Sequence, residues 1–287
     1  MNNSAATPSF SAARPRPAIR RTTLYTQAFL GLLLRDFRVL GRELGPFVVR
    51  ILMQPLLFLF VFTYVFPRIG QSFGGPATAS GANFATILLP GLMAMAIMFS
   101  GIAAVALPLS TEFGITREID DRVMCPLPVG AVAIEKICFS AMQSVFAALL
   151  VFPLAYFVPA MPVHVAVASW PLLAAVLLLA SLVAGALGLT IGTSVKPQQI
   201  GLIFSIVVIP ITFLGCVYYP WALLSHVRWL QYLVLINPIV YMSEGLRAAL
   251  TPGLPHMPAW LILSALLLSL TLLGWTGMRG FLRRVIS

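Results

Sequence analysis

Charge is scarce in this chain, and acid scarcest of all. Only 9% of the 287 residues are Asp, Glu, Lys or Arg, and only eight are acidic. Soluble domains carry about 25% charged residues to solvate their surface. A soluble globular fold is therefore excluded. Histidine is equally thin. His164, His226 and His256 are far apart and make no ligand cluster, no Ser-His-acid arrangement and no H-E-x-x-H. The three cysteines, Cys125, Cys138 and Cys216, have no paired spacing, so neither a disulfide framework nor a metal site is expected. The phosphate-cradling pattern G-x-x-x-x-G-K-[ST] is absent, and with it a nucleotide site of that kind. No catalytic residue can be nominated, and the reading is of a chain that is not itself an enzyme.

Long apolar runs fill the space that charge leaves. The chain is 60% hydrophobic with a mean hydropathy of +0.97. A bilayer crossing needs about 20 apolar residues, and such runs recur. The sequence places spans at about 47–66, 84–110, 137–158, 170–193, 200–219 and 259–277, which makes an all-α polytopic membrane protein with six transmembrane helices. The net charge of +10 would suggest nucleic acid in a soluble protein. Here basic residues gather in cytoplasmic loops instead, and no nucleic-acid partner is expected.

Two stretches flank this pattern. Residues 1–22 are rich in Ser, Ala, Pro and Arg with no acid, and read as a disordered basic tail. A transit peptide fits the same composition. A twin-arginine signal at Arg20-Arg21 is opposed by Arg35 and Asp36, which cut off the apolar stretch behind it. From residue 23 to 44, Leu24, Ala28, Leu32, Leu33, Phe37, Leu40 and Leu44 keep helical spacing, with Arg35, Arg38 and Arg42 on another face. That is an amphipathic helix lying in the inner interface. A permease domain over 23–284 then follows the tail.

Residues 221–250 pose the topological question. Asn237-Pro238 cuts them into pieces too short to cross, and Glu244 and Arg247 are costly at a bilayer centre. With six spans, fifteen basic residues lie on the side of the termini and three, Arg68, Arg228 and Arg247, on the other. A seventh span would break that bias. The stretch therefore reads as a re-entrant hairpin on the outer face, between spans five and six. Asn237 and Pro238 form its turn, and Glu244 and Arg247, at i and i+3, a helical ion pair or an anchor at the interface.

One charged island stands out. "TREIDDRVMCPLP", 116–128, lies in a window from Glu112 to Glu135 that holds five of the eight acids. The span cores contain no Asp, Glu, Lys or Arg. Proton-driven carriers place such groups in the membrane, so a secondary transporter is disfavoured. An intramembrane lipid-modifying enzyme would need a polar catalytic cluster, and none is visible. If the chain transports, its energy enters from outside the membrane.

Three motifs carry a resemblance. "TREIDDRVMCPLPVGAVAIEK" has a charged helix, a Pro-containing turn and a Lys at the start of the next span. "FLGCVYYPWALL" has Gly215 before Tyr219 and Pro220, and "INPIVYMSEGLRAAL" has Asn237, Pro238, Tyr241, Leu246 and Arg247. In this order and topology the chain, from about Thr23 to Arg284, resembles the membrane subunit of type II ABC exporters. "LLPGLMAMAIMFSG" in span two is most similar to the drug- and nodulation-factor-exporting branch. The resemblance implies a separate ATP-binding partner that holds ATP and Mg, a second permease copy, a bacterial plasma membrane and cytoplasmic termini. It implies a coupling loop at 111–131, whose Glu112, Arg117, Glu118, Asp120, Asp121 and Arg122 dock on the ATPase, and a gate at Asn237, Pro238, Tyr241, Glu244 and Arg247. It also implies a route lined by spans one, two and five. These carry Phe58, Phe60, Phe62, Met93, Met95, Met98, Phe99 and Phe204, an adaptable apolar surface. The cargo implied is a hydrophobic or amphipathic drug, lipid or glycolipid, with a polysaccharide or lipid-linked glycan as the alternative.

Overall fold

A computed structural model of the chain describes residues 21–69, 84–113, 127–158 and 165–286. The basic tail, apart from its last two residues, lies outside them. So do Arg117, Glu118, Asp120, Asp121 and Arg122.

The described residues are mostly helical, with no strand among them. Helix α1 spans Arg21–Arg42. Helix α2, Leu44–Leu59, is prolonged by a π-helical stretch, Phe60–Val65, and a last turn to Arg68. Helix α3 spans Phe84–Thr111, α4 Val129–Phe157 and α5 Trp170–Ser194. An apolar helix α6 covers Ile200–Phe213. Helices α7, Arg228–Ile236, and α8, Pro238–Leu250, meet at a 98° bend. Helix α9 runs Ala259–Ile286.

Five of these, α2 to α5 and α9, are long and apolar enough to cross a membrane, and the bent α7–α8 pair is a sixth candidate by length and composition. The chain is an all-α, membrane-spanning protein. Its centre is α3, which packs on α4, α5 and α8. In its most apolar stretch 83% of residues are buried, against 22% in α2 and 17% in α9. Those two helices therefore stand at the periphery.

Lipid tails are as apolar as leucine, so membrane helices associate through close packing at small residues. That is what holds the centre here. A Cβ on Gly188 of α5 would stand 3.0 Å from the Ile102 Cα of α3. One on Gly101 would stand 2.5 Å from the Ala184 Cβ. Ser140 of α4 donates to the Gly101 carbonyl at 2.9 Å. At the far end of α5, Arg284 of α9 donates to the carbonyls of Gly192 at 3.0 Å and Val195 at 3.1 Å. These are last-turn carbonyls that the helix itself cannot satisfy.

Several boundaries differ from the sequence reading; helix α9, for one, runs on to Ile286, past the 277 given for the last span. The third span starts at Val129, not 137, because Pro128 caps the helix and Glu135 and Lys136 are buried inside the protein (0% and 2% exposed). Span five ends as a helix at Phe213, not at 219. Leu214 leaves helical geometry and Cys216 takes a positive φ of 51°. The turn that follows is pressed against α8 and α3. A Cβ on Gly215 would meet Ile239, and one on Gly91 would overlap the Val217 carbonyl at 1.9 Å. Leu44 belongs to α2 rather than to the amphipathic helix, since the chain breaks at Glu43. The apolar face of α1 is partly covered by protein: α1 packs on α4, with Phe37 edge-on to Phe139 at 5.2 Å between ring centroids.

Candidate functional site

A charged cluster whose members are far apart in the sequence joins three elements. Lys136 lies two turns into α4. Its Nζ donates to Asp36 Oδ2 of α1 at 3.2 Å and to Glu112 Oε1, just past α3, at 3.0 Å. Exposure is 2% for Lys136, 9% for Asp36 and 5% for Glu112. Charges removed from water persist only when paired and hydrogen-bonded, so this contact holds three elements in register. Glu112 and Lys136 also stand on either side of the segment 114–126. Glu112 was expected on an exposed docking helix. It is buried and engaged internally, because Lys136 draws it in.

Above this cluster opens a cleft of about 470 Å³ between α1, the start of α2, α3 and α4. Its wall mixes Leu40, Phe47 and Phe139 with Arg35, Glu43 and Arg50. A second cavity of about 360 Å³ continues between α2, α3 and α6, lined by Ile51, Met95, Phe99, Ser100 and Phe204. The two meet at Arg50, Ala103 and Leu107, which line both. Each volume lies in the range of small-molecule sites, about 300–1,000 Å³. The pair runs from a mixed, charged mouth to an apolar interior.

Of the eight residues nominated for a substrate route, Met95, Phe99 and Phe204 line the second cavity. The other five do not: Met93 is fully buried and Phe60 faces outward. Met98 is fully buried in the core. Phe58 and Phe62 stack on one another at 5.9 Å, and Phe58 also lies 5.1 Å from Tyr218, so both brace the turn after α6. Arg50, Gln54 and Ser100 line the second cavity without having been nominated. From the sequence alone, Arg50 is close enough to the start of its span to snorkel to the headgroups. It lies within the first turns of a spanning helix, and a cation there is costly unless it has a role.

The α7–α8 region is built on a second buried pair. Arg247 donates from Nη1 to Glu244 Oε1, and both side chains are fully buried. Glu244 Oε1 also accepts from the Trp221 backbone N–H at 2.9 Å, and Oε2 from that of Met257 at 3.1 Å. Arg247 Nη2 donates to the Cys216 carbonyl at 3.3 Å. One carboxylate thus joins the segment entering α7, helix α8 and the loop leaving it. At the bend, Asn237 Oδ1 accepts from the Ile239 N–H at 3.0 Å while Nδ2 donates to the Ile211 carbonyl at 2.5 Å. Pro238 takes the first helical position, where its missing N–H costs nothing. Tyr241 donates to the Leu235 carbonyl at 2.8 Å, holding the bend from the other side. The five residues nominated in this region all lie on α8 or at its start: Asn237, Pro238 and Tyr241 shape the bend, and Glu244 and Arg247 form a separate buried network further along the helix. The pair does not sit at a water interface; it is enclosed by protein.

This arrangement can bind and couple, and nothing in it is built to make or break covalent bonds. Among the described residues no group of three or more His, Cys, Asp or Glu could hold a metal ion.

Comparison with known proteins agrees with the geometry. A family model described as "ABC-2 type transporter" matches residues 27–251. The "Inner membrane transport permease YadH" of Escherichia coli (strain K12) is 29% identical over 203 residues, which is 69% of this chain and 75% of that protein. The protein of the same description from Shigella flexneri is similar to the same degree.

Proposed function

As this chain belongs to the ABC-2 type transporter family and is a transport permease, we propose that it is the membrane subunit of an ATP-driven exporter. It moves a hydrophobic or amphipathic substrate (a drug, lipid or glycolipid) out of the cytoplasm or inner leaflet. ATP and Mg are bound by a separate ATPase chain, and two permease copies complete the complex. Its place is the bacterial inner membrane, with both termini cytoplasmic.

The observation that carries this reading is the pair of joined cavities, which runs from a charged mouth to an apolar interior beside Met95, Phe99 and Phe204. A fully hydrophobic cargo would not need the mouth, and a polysaccharide would not need the apolar end. The amphiphile is therefore favoured over the glycan.

The coupling route follows from the same cluster. The loop at 111–131 contacts the ATPase through Arg117, Glu118, Asp120, Asp121 and Arg122. Glu112 and Lys136 bracket that contact and are tied to Asp36 on α1. A displacement of the loop then moves α1, α3 and α4 together, and these three form the wall of the first cavity. Complementary charge at the loop fixes partner choice and register. On the other side of the membrane the α7–α8 unit acts as a re-entrant gate, its bend at Asn237 and Pro238 braced by Tyr241 and by the Glu244–Arg247 pair.

The test is hydrolysis by the assembled complex. With its ATPase in proteoliposomes, the wild type is expected to show vanadate-sensitive ATP hydrolysis stimulated by amphiphiles. Reversing Glu118 and Asp121 to Lys is expected to abolish co-purification of the ATPase. Intact co-purification and stimulation in that variant would overturn the coupling role.

A further inference from the structure

The polar end of the substrate route carries balanced charge, and the order of its groups is specific. Resting on the export reading above, we propose that the joined cavities accept a zwitterionic aminophospholipid, of the phosphatidylethanolamine kind. The tail enters the second cavity, the phosphate lies on Arg50, and the amine sits against the acids of the mouth.

Four observations carry this. First, apart from the buried cluster in which Lys136 bonds Asp36 and Glu112, the cleft is lined by Arg50 and by Glu43, so a ligand there meets both a cation and an acid. Second, Arg50 is exposed to the cleft and has no hydrogen bond or ion pair among the described residues, although it stands at the junction of both cavities. A guanidinium offers the forked donor geometry that a phosphate takes up. Third, the second cavity, which Arg50 also lines, is walled mainly by apolar side chains, Ile51, Met95, Phe99 and Phe204 among them, a chamber suited to an acyl tail. Fourth, Glu43 stands seven residues before Arg50. That is two helical turns, on nearly the same face and on the order of 10 Å along the axis. Side chains of this length close most of that gap. The route therefore presents, in sequence, an apolar chamber, a cation and an acid. An aminophospholipid presents tail, phosphate and amine in the same sequence.

The primary amine matters as well as its charge. It can donate hydrogen bonds to a carboxylate, whereas a quaternary ammonium cannot. Phosphatidylcholine is thus a weaker fit, and phosphatidylglycerol, with no cation, weaker still.

The experiment is lipid retention by the full-length purified chain, read by native mass spectrometry. The probes are phosphatidylethanolamine, phosphatidylcholine and phosphatidylglycerol with the same acyl chains. The ethanolamine lipid is expected to bind about tenfold more tightly than the glycerol lipid. Arg50→Gln should lower its affinity by about tenfold while Arg50→Lys keeps most of it. Glu43→Gln should erase the preference over phosphatidylglycerol. Arg42→Gln, outside both cavities, should change nothing. Equal retention of the three lipids overturns the proposal, as does an Arg42→Gln effect equal to that of Arg50→Gln. So does competition by tail-less glycerophosphoethanolamine at the lipid's own affinity, which would mark a headgroup site without a chamber. Hydrolysis separates the two readings. Selective retention without stimulated hydrolysis leaves the site standing and sinks export. Stimulation by other amphiphiles without selective retention does the reverse.

Discussion

Replacing Glu244 by glutamine keeps the shape of the side chain and removes its charge. Arg247 is then left fully buried without a charged partner, its other acceptor being the Cys216 carbonyl at 3.3 Å. Whichever way the amide turns, its nitrogen is a donor facing either the Met257 N–H or both the Trp221 N–H and the guanidinium. At an effective dielectric constant of about 20, charges about 4 Å apart attract by roughly 4 kcal/mol. Breaking a buried pair by removing one partner costs about 3–5 kcal/mol. Glu244→Gln is therefore expected to cost about 3–5 kcal/mol, much of a typical stability of about 5–15 kcal/mol. The double variant Glu244→Gln, Arg247→Met removes the orphaned cation and fills a similar volume, so it should recover at least half of that loss. Denaturant titration in mixed micelles, run as a double-mutant cycle, reads both quantities. A single-variant cost below about 1 kcal/mol, or a double variant no better than the single, would refute the reasoning.

Two further outcomes follow from the packing. Lys136→Met removes the cation between Asp36 and Glu112 and is expected to cost about 3 kcal/mol in the same titration. Lys136→Arg should keep most of the stability, and Lys136→Met should also weaken substrate-stimulated hydrolysis in the complex. Gly188→Ala forces its Cβ to within 3.0 Å of the Ile102 backbone, an overpacking expected to cost about 1–3 kcal/mol. Gly201→Ala has nothing within 4 Å and should be neutral or stabilising by up to about 1 kcal/mol; the two alanine variants compared by unfolding titration check the close-packing account.

The apolar runs located the spans well where a helix ends at a change of polarity. Spans two and four, at 84–110 and 170–193, differ from Phe84–Thr111 and Trp170–Ser194 by a residue or less at each end. Hydropathy fails where backbone geometry or pairing decides. The run after Phe213 stays apolar, but the positive φ at Cys216 turns the chain. Glu135 and Lys136 read as lying before the span because each alone is costly inside a membrane-spanning helix. Lys136 becomes affordable beside Asp36, a hundred residues away in sequence, and no local window can see that. Glu244 and Arg247 were legible as an i, i+3 pair, yet their enclosure was not. It depends on Trp221 and Met257, two backbone donors from separate loops. In the route, aromatic and Met composition marked Met95, Phe99 and Phe204 but could not separate them from Met98, which faces the core. The polar members, Arg50 and Ser100, carry no periodic signal at all.

The central claim is that an amphiphile passes through the joined cavities and that its passage is coupled to another chain's ATP hydrolysis. Ala103 lines both cavities at their junction, so Ala103→Trp would plug the route there. The most direct measurement is amphiphile-stimulated, vanadate-sensitive hydrolysis by the proteoliposome complex, wild type against Ala103→Trp, with ATPase co-purification measured alongside. The account predicts retained co-purification and loss of the stimulation. Full stimulation in the plugged variant would contradict it.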